Sequence, residues 1–213
     1  MNEMNQLTGI HHVTAITSSA EKIYDFFNDI LGLRLVKKTV NQDDINTYHL
    51  FFADDEGNAG TDMTFFDFKG ISKGQHGTNE IARTSFRVPN DKAVEYFLDR
   101  FESFKVKHEG IQEMFGKKIL PFEDFDGQLY QIISDEHDNG VAPGVAWKNG
   151  PVPEEFGIYG LGPVFITVNQ FTAFKSAFEA VYLFKETQSE GNYHLFETGE
   201  GGNGASVIIV DDT

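Results

Sequence analysis

A recurrence of strand, helix and then two or three strands, met three times along 213 residues, predicts an α+β fold: tandem βαβββ units forming curved mixed sheets, three units in this chain. A duplicated hairpin is the clearest sign. Tyr48-His49-Leu50-Phe51, a turn from Gly57 to Gly60 and Met63-Thr64-Phe65-Phe66-Asp67 return as Tyr193-His194-Leu195-Phe196, a turn from Gly199 to Gly204 and Val207-Ile208-Ile209-Val210-Asp211. Strand, turn and strand match at nearly equal spacing, which chance seldom produces. The second sign is a helix-like segment ahead of each hairpin. The third is Gly9-Ile10-His11-His12-Val13-Thr14-Ala15-Ile16-Thr17, a short β-type run carrying two adjacent histidines.

In the first unit (1–68), strand alternation puts Ile10, His12, Thr14 and Ile16 on one face and His11, Val13 and Ala15 on the other. Val13 and Ala15 suit packing under a helix, which sends His12 and Thr14 into the concave face. By the same alternation His11 reaches that face only if a bulge or the strand end turns it. Ser18-Ser19 followed by Glu21 reads as a helix N-cap with an acidic first turn, and Ile23, Phe26, Phe27, Ile30 and Leu31 form the apolar stripe. Gly32 stands where a helix needs a left-handed residue to end.

The second unit (79–136) opens at Ala82-Arg83-Thr84-Ser85-Phe86-Arg87-Val88, continues through a helix from about Asp91 and closes with Leu129-Tyr130-Gln131-Ile132-Ile133. A Gly- and Pro-rich stretch, 137–157, reads as a linker. The third unit (158–213) carries Phe171, Phe174, Phe178, Val181 and Tyr182 at helical spacing. An open βαβββ half-sheet cannot bury its own face, so such units pair, and three copies leave one without a partner. That predicts a homodimer, formed through an apolar concave face and strand edge left by the first unit.

The net charge of -16 argues against nucleic acid and anionic membrane surfaces as partners, because both require basic patches. With no cysteine, disulfides, zinc fingers and cysteine nucleophiles are excluded, and a reducing cytoplasm is the expected setting. Met1-Asn2-Glu3-Met4-Asn5-Gln6 has neither the basic region nor the apolar core of a signal peptide, and no window is apolar enough to span a bilayer.

Leu31-Gly32-Leu33 after the first helix and Asp124-Phe125-Asp126-Gly127 before a closing strand resemble the vicinal oxygen chelate superfamily, which includes glyoxalases, bleomycin-resistance proteins and extradiol ring-cleaving dioxygenases. A narrower resemblance, over nearly the whole chain, is to the ring-cleaving dioxygenases that act on hydroquinones. It rests on His11-His12-Val13-Thr14, Arg34-Leu35-Val36-Lys37-Lys38-Thr39 and Tyr48-His49-Leu50-Phe51-Phe52-Ala53-Asp54. It implies a non-haem iron(II) enzyme, with manganese(II) as the other candidate, that opens a hydroquinone- or catechol-like ring with dioxygen. The metal there sits on two histidines and a glutamate. By the match His12 is the first ligand, His11 an acid/base residue beside it and Thr14 a neighbour in the pocket. The other ligands come from a fourth unit in that group and have no counterpart in this chain, so the expectation is a truncated form.

The competing expectation is a non-catalytic binding module of the bleomycin-resistance kind, with Phe51, Phe65 and Phe122 in an aromatic-lined pocket, or an inactive remnant. A glyoxalase site inside the chain is disfavoured. Gln131 stands where such sites place a glutamate, and Arg83, Thr84 and Pro163 where a histidine is needed. His49 and His194 occupy equivalent repeat positions and are expected to share a structural role. His76, His108 and His137 lie in polar, loop-like surroundings and are expected to face solvent.

Overall fold

A computed structural model describes residues 6–213, so most of the N-terminal stretch read above for a leader lies outside the described residues. The first unit runs β1 (His12–Thr17), α1 (Ala20–Tyr24), β2 (Arg34–Val40), β3 (Tyr48–Ala53) and β4 (Asp62–Asp67). Ser19 caps α1 by accepting from the Lys22 amide. The helix then widens into a π-helix over Asp25–Ile30, with the Leu31 amide reaching back five residues to Phe26 O. Ile23, Phe26, Phe27 and Leu31 are buried as the stripe predicts. Gly32 ends the segment at φ +73, and a Cβ there would stand 2.7 Å from Val152 Cγ2, so the turn needs glycine on both counts.

The second unit comprises β5 (Glu80–Val88), α2 (Asp91–Phe104), β6 (Lys107–His108), β7 (Gln112–Met114), β8 (Lys117–Glu123) and β9 (Leu129–Ser134). The third comprises β10 (Gly160–Val168), α3 (Phe171–Tyr182), β11 (Lys185–Glu190), β12 (Tyr193–Glu197) and β13 (Ser206–Asp211). In each unit the strand before the helix lies parallel to the last strand: β1 with β4, β5 with β9, β10 with β13. Val181 and Tyr182, read from sequence as part of the α3 stripe, are 69% and 53% exposed. The helix stops at Leu183 in the left-handed region before their turn reaches the sheet.

Two sheets result. The first unit makes a four-stranded sheet in the order β1-β4-β3-β2. Units two and three share a nine-stranded sheet, because their first strands, β5 and β10, pair antiparallel. Asp135, Arg87 and the linker lock that joint. Arg87 donates from Nε to Asp135 Oδ2 at 2.8 Å and from Nη2 to Val141 O at 3.0 Å, while Tyr159 and Asn203 donate to the same carboxylate. Both Asp135 oxygens accept and both Nε and Nη2 of Arg87 donate, which offsets the cost of burying the charges.

The back of the first sheet packs through its helix onto the second unit. Phe27 is fully buried, with ring centroids 5.2 Å from Phe52, 4.8 Å from Phe65, 5.8 Å from Phe86 and 5.7 Å from Tyr130, so one side chain joins both sheets. Around it, Arg100 of α2 donates to Ile30 O and Asp29 O, and Asp126 accepts from Thr17 and Ser18 at the end of β1. Asp124, in the same turn, accepts from the amides of Asp126 and Gln128 and from the Tyr130 hydroxyl. Burial nevertheless pushes its carboxyl up to about 6. Among the described residues no helix is long and apolar enough to cross a membrane.

Phe27→Ala leaves a cavity where the first two units pack together and is expected to cost about 3–5 kcal/mol, read by urea denaturation. A second expectation concerns pH. The raised Asp124 carboxyl holds its proton more tightly in the native state than in the unfolded chain, so stability falls as pH rises from about 4 to about 6. Asp124→Asn lacks that term. Between about pH 7 and pH 4 the wild type therefore gains roughly 2–3 kcal/mol relative to the variant, checked by paired denaturation curves.

Candidate active site on the open face of the first sheet

With Val13 and Thr17 of β1 turned inward, strand alternation leaves His12, Thr14 and Ile16 exposed on the other face. The parallel register with β4 sets Asp62 beside His12 and Thr64 beside Thr14. The antiparallel register of β3 adds His49 opposite Phe66 and Phe51 opposite Thr64. The face is thus built by three strands, and its geometry is tight. Thr14 Oγ1 lies 2.9 Å from Thr64 Oγ1, which lies 3.0 Å from His49 Nε2. The His49 ring sits between Phe51 and Phe66, at centroid distances of 4.1 and 4.0 Å, and Lys37 Nζ stands 5.1 Å over Phe51.

His11 joins this face. β1 begins at His12, so His11 precedes the pleat and alternation does not constrain it; its Nδ1 lies 3.1 Å from Nδ1 of His12, with both rings exposed. That contact leaves the two Nε2 atoms without a hydrogen-bond partner among the described residues. Burial holds the His49 ring below the usual imidazole range, with further lowering by Lys37 and His12, which favours its neutral form. Burial raises Asp62, while His11 and His12 pull it the other way.

The donor set for a metal is incomplete. Among the described residues no group of three His, Asp or Glu side chains is close enough to hold an ion. His12 with Asp62 at its side makes only part of a coordination sphere. The face offers a histidine pair, a hydroxyl pair and an aromatic wall, an arrangement able to seat a planar ring and exchange a proton with it.

Several expectations are corrected. Phe65 and Phe122 do not line a pocket: both are core residues on the helix-facing side, and only Phe51 reaches the open face. The face itself is mixed rather than apolar, since Thr14, Thr64, Lys37 and the histidines interrupt the aromatics. His49 and His194 have no common role. Their copies differ by one residue between the tyrosine and the closing aspartate, and a one-residue slip in a strand turns every side chain to the other face. His49 therefore lies on the open face, whereas His194 lies under α3, with Nδ1 2.6 Å from Glu186 and its ring 4.1 Å from Phe171. His76 and His137 are exposed; His108 is half-buried on β6, its Nδ1 accepting from the Gly110 amide.

In the paired units Gln131 is fully buried, and neither amide atom has a partner among the described residues. It lines a cavity of about 70 Å³ with Ile133, Pro163, Leu195 and Ile208. Asp62, Thr64 and Phe66 were missed from sequence. The alternation of β4 marks them as one face, but only the β1–β4 pairing brings that face to the histidines.

The family described as the Glyoxalase/Bleomycin resistance protein/Dioxygenase superfamily matches residues 9–132. The chain is 38% identical over 211 residues to the Bacillus subtilis (strain 168) protein named "Putative ring-cleaving dioxygenase MhqA", covering 97% of this chain and 66% of that one. It is 30% identical to a chlorohydroquinone/hydroquinone 1,2-dioxygenase of Sphingobium indicum, covering 96% and 63%. A crystal structure described as a "putative dioxygenase from Bacillus subtilis" superposes with a TM-score of 0.86 at 31% identity, over 97% of this chain and 64% of that one. The chain spans about two thirds of the length of these curated relatives.

An unpaired buried amide is a stability cost that an apolar side chain of similar size removes. Gln131→Leu is expected to raise stability by about 1–2 kcal/mol, measured by thermal or urea unfolding.

Proposed function

The chain belongs to the Glyoxalase/Bleomycin resistance protein/Dioxygenase superfamily, and on that premise we propose that it is the part of a non-haem iron(II), extradiol-type ring-cleaving dioxygenase that carries the first metal ligand, His12. The observation that supports this reading is the exposed His11–His12 pair at the start of β1, an edge strand of a sheet whose outer face is uncovered among the described residues. Within the same chain, β5 and β10 join two units through their first strands. A further unit pairing with β1 in that manner would bring its own side chains over His12, and the relatives' extra length is compatible with one. The remaining ligands belong to such a unit; a second copy of the chain in its place is the homodimer.

Iron(II), held in part by His12, would supply the Lewis-acid and redox chemistry for ring opening by dioxygen. The residues of this chain do the rest of the work on their side of the pocket. Phe51, His49 and Phe66 stand ring against ring and offer their edges to the pocket, against which a hydroquinone- or catechol-like ring packs edge-to-face. For His12 to offer its Nε2 lone pair, its Nδ1–H donates to His11 Nδ1, so His11 takes a phenolic proton once its ring turns out of that contact and frees the same lone pair. The Thr14–Thr64–His49 chain fixes the hydroxyls and the ring that shape the pocket floor.

The test is iron content and oxygen uptake of the complete gene product on a hydroquinone, with His12→Ala and His11→Ala beside the wild type. Loss of iron and of ring cleavage in His12→Ala is expected. His11→Ala should retain iron and lose about 10²–10⁴-fold in rate. A His12→Ala protein that keeps both iron and activity would falsify the assignment.

A further inference from the structure

A second feature of the first unit lies on the opposite side of its sheet, away from the histidines. Asp67, the last residue of β4, points toward the helix side and is 2% exposed. Neither of its carboxylate oxygens has a hydrogen-bond partner among the described residues. A buried carboxylate in that condition has lost water and gained nothing in exchange, so it calls for a cation or a strong donor.

Asp67 lines a cleft of about 620 Å³ between the start of α1 and the edge strand β2. Leu35 and Leu50 supply apolar wall. Glu21 and Asp25 add acidic groups, so the lining carboxylates outnumber its ammonium groups, Lys38 and Lys69. Neither lysine meets Asp67. Their Nζ atoms stand 4.1 and 6.0 Å over the Tyr48 ring, and neither forms an ion pair among the described residues. The nearby carboxylates are not gathered into a metal-holding group among the described residues.

We propose that this cleft is a binding site for a small organic amine, whose ammonium group pairs with Asp67 and whose alkyl part lies along Leu35 and Leu50. A protonated amine supplies up to three donors to a carboxylate whose two oxygens are both vacant, and its short chain matches the apolar wall. The ligand takes a charge that is already desolvated, so the protein bears most of the desolvation cost before binding.

Propylammonium chloride is the probe, with 1-propanol, sodium propionate and magnesium chloride at matched ionic strength as controls, read by thermal unfolding and by amide chemical shifts of the isotope-labelled chain. The expected result is a concentration-dependent stabilisation by propylammonium alone, with shifts confined to α1, β2 and the end of β4. Asp67→Asn is expected to unfold at a higher temperature than the wild type without ligand, because an uncompensated charge is gone, and to bind propylammonium about 10- to 100-fold more weakly. Lys38→Ala and Lys69→Ala should keep both the stability and the response.

An equal response to propanol or to magnesium overturns the proposal, as does a wild type that ignores propylammonium. A lysine variant as unstable as one with an orphaned partner also overturns it, since that lysine would then be the solution partner of Asp67. If Asp67→Asn does not fold, the wild-type shift map decides alone: shifts outside the cleft sink the idea.

Discussion

Phe27 commits one face of the first sheet, and everything else about the candidate site follows from that commitment. Its ring is in contact range of Phe52 and Phe65 on the sheet's own strands and of Phe86 and Tyr130 in the second unit. A β-strand has only two faces. Once Val13, Leu50, Phe52, Met63 and Phe65 are drawn toward that ring, His12, Thr14, His49, Phe51 and Phe66 have nowhere to go but the other side. The histidines are exposed because a phenylalanine on the opposite face is not.

The three units solve the problem of an open half-sheet in two ways. Units two and three pair through β5 and β10 and bury their shared interior, where Arg87, Asp135, Tyr159 and Asn203 complete one another's hydrogen bonds. The interior so formed leaves Gln131 sealed and without a partner among the described residues. The first unit instead spends its helix face on the second unit and keeps its other face open. The Asp-Phe-Asp-Gly turn serves that docking: Asp124 organises the turn from within, and Asp126 reaches across to the end of β1.

Much of the fold was legible in the residues because it rests on short-range rules. Ser19, the Ile23-Phe26-Phe27 stripe and Gly32 announce a helix and its two ends, and the structure has them, with a π-helical widening that no spacing rule anticipates. The repeat was legible too, yet its reading by motif alone misled. Tyr48-His49-Leu50-Phe51 and Tyr193-His194-Leu195-Phe196 look identical, and one extra residue before the closing aspartate puts their histidines on opposite faces. Letters align without regard to pleat; side chains do not.

The amino-acid order by itself determined the unit type, the helix caps and stripes, and which β1 residues share a face, since each depends on neighbours a few positions away. Tertiary structure alone decided that Asp62 and Thr64 stand beside the histidines, that His11 turns to meet His12, that Phe65 and Phe122 belong to the core, and that Asp67 lies buried in the wall of the cleft beside α1. Those outcomes depend on strand register and on which sheet face is claimed by packing. Both are settled between segments far apart in the chain, where local periodicity carries no information.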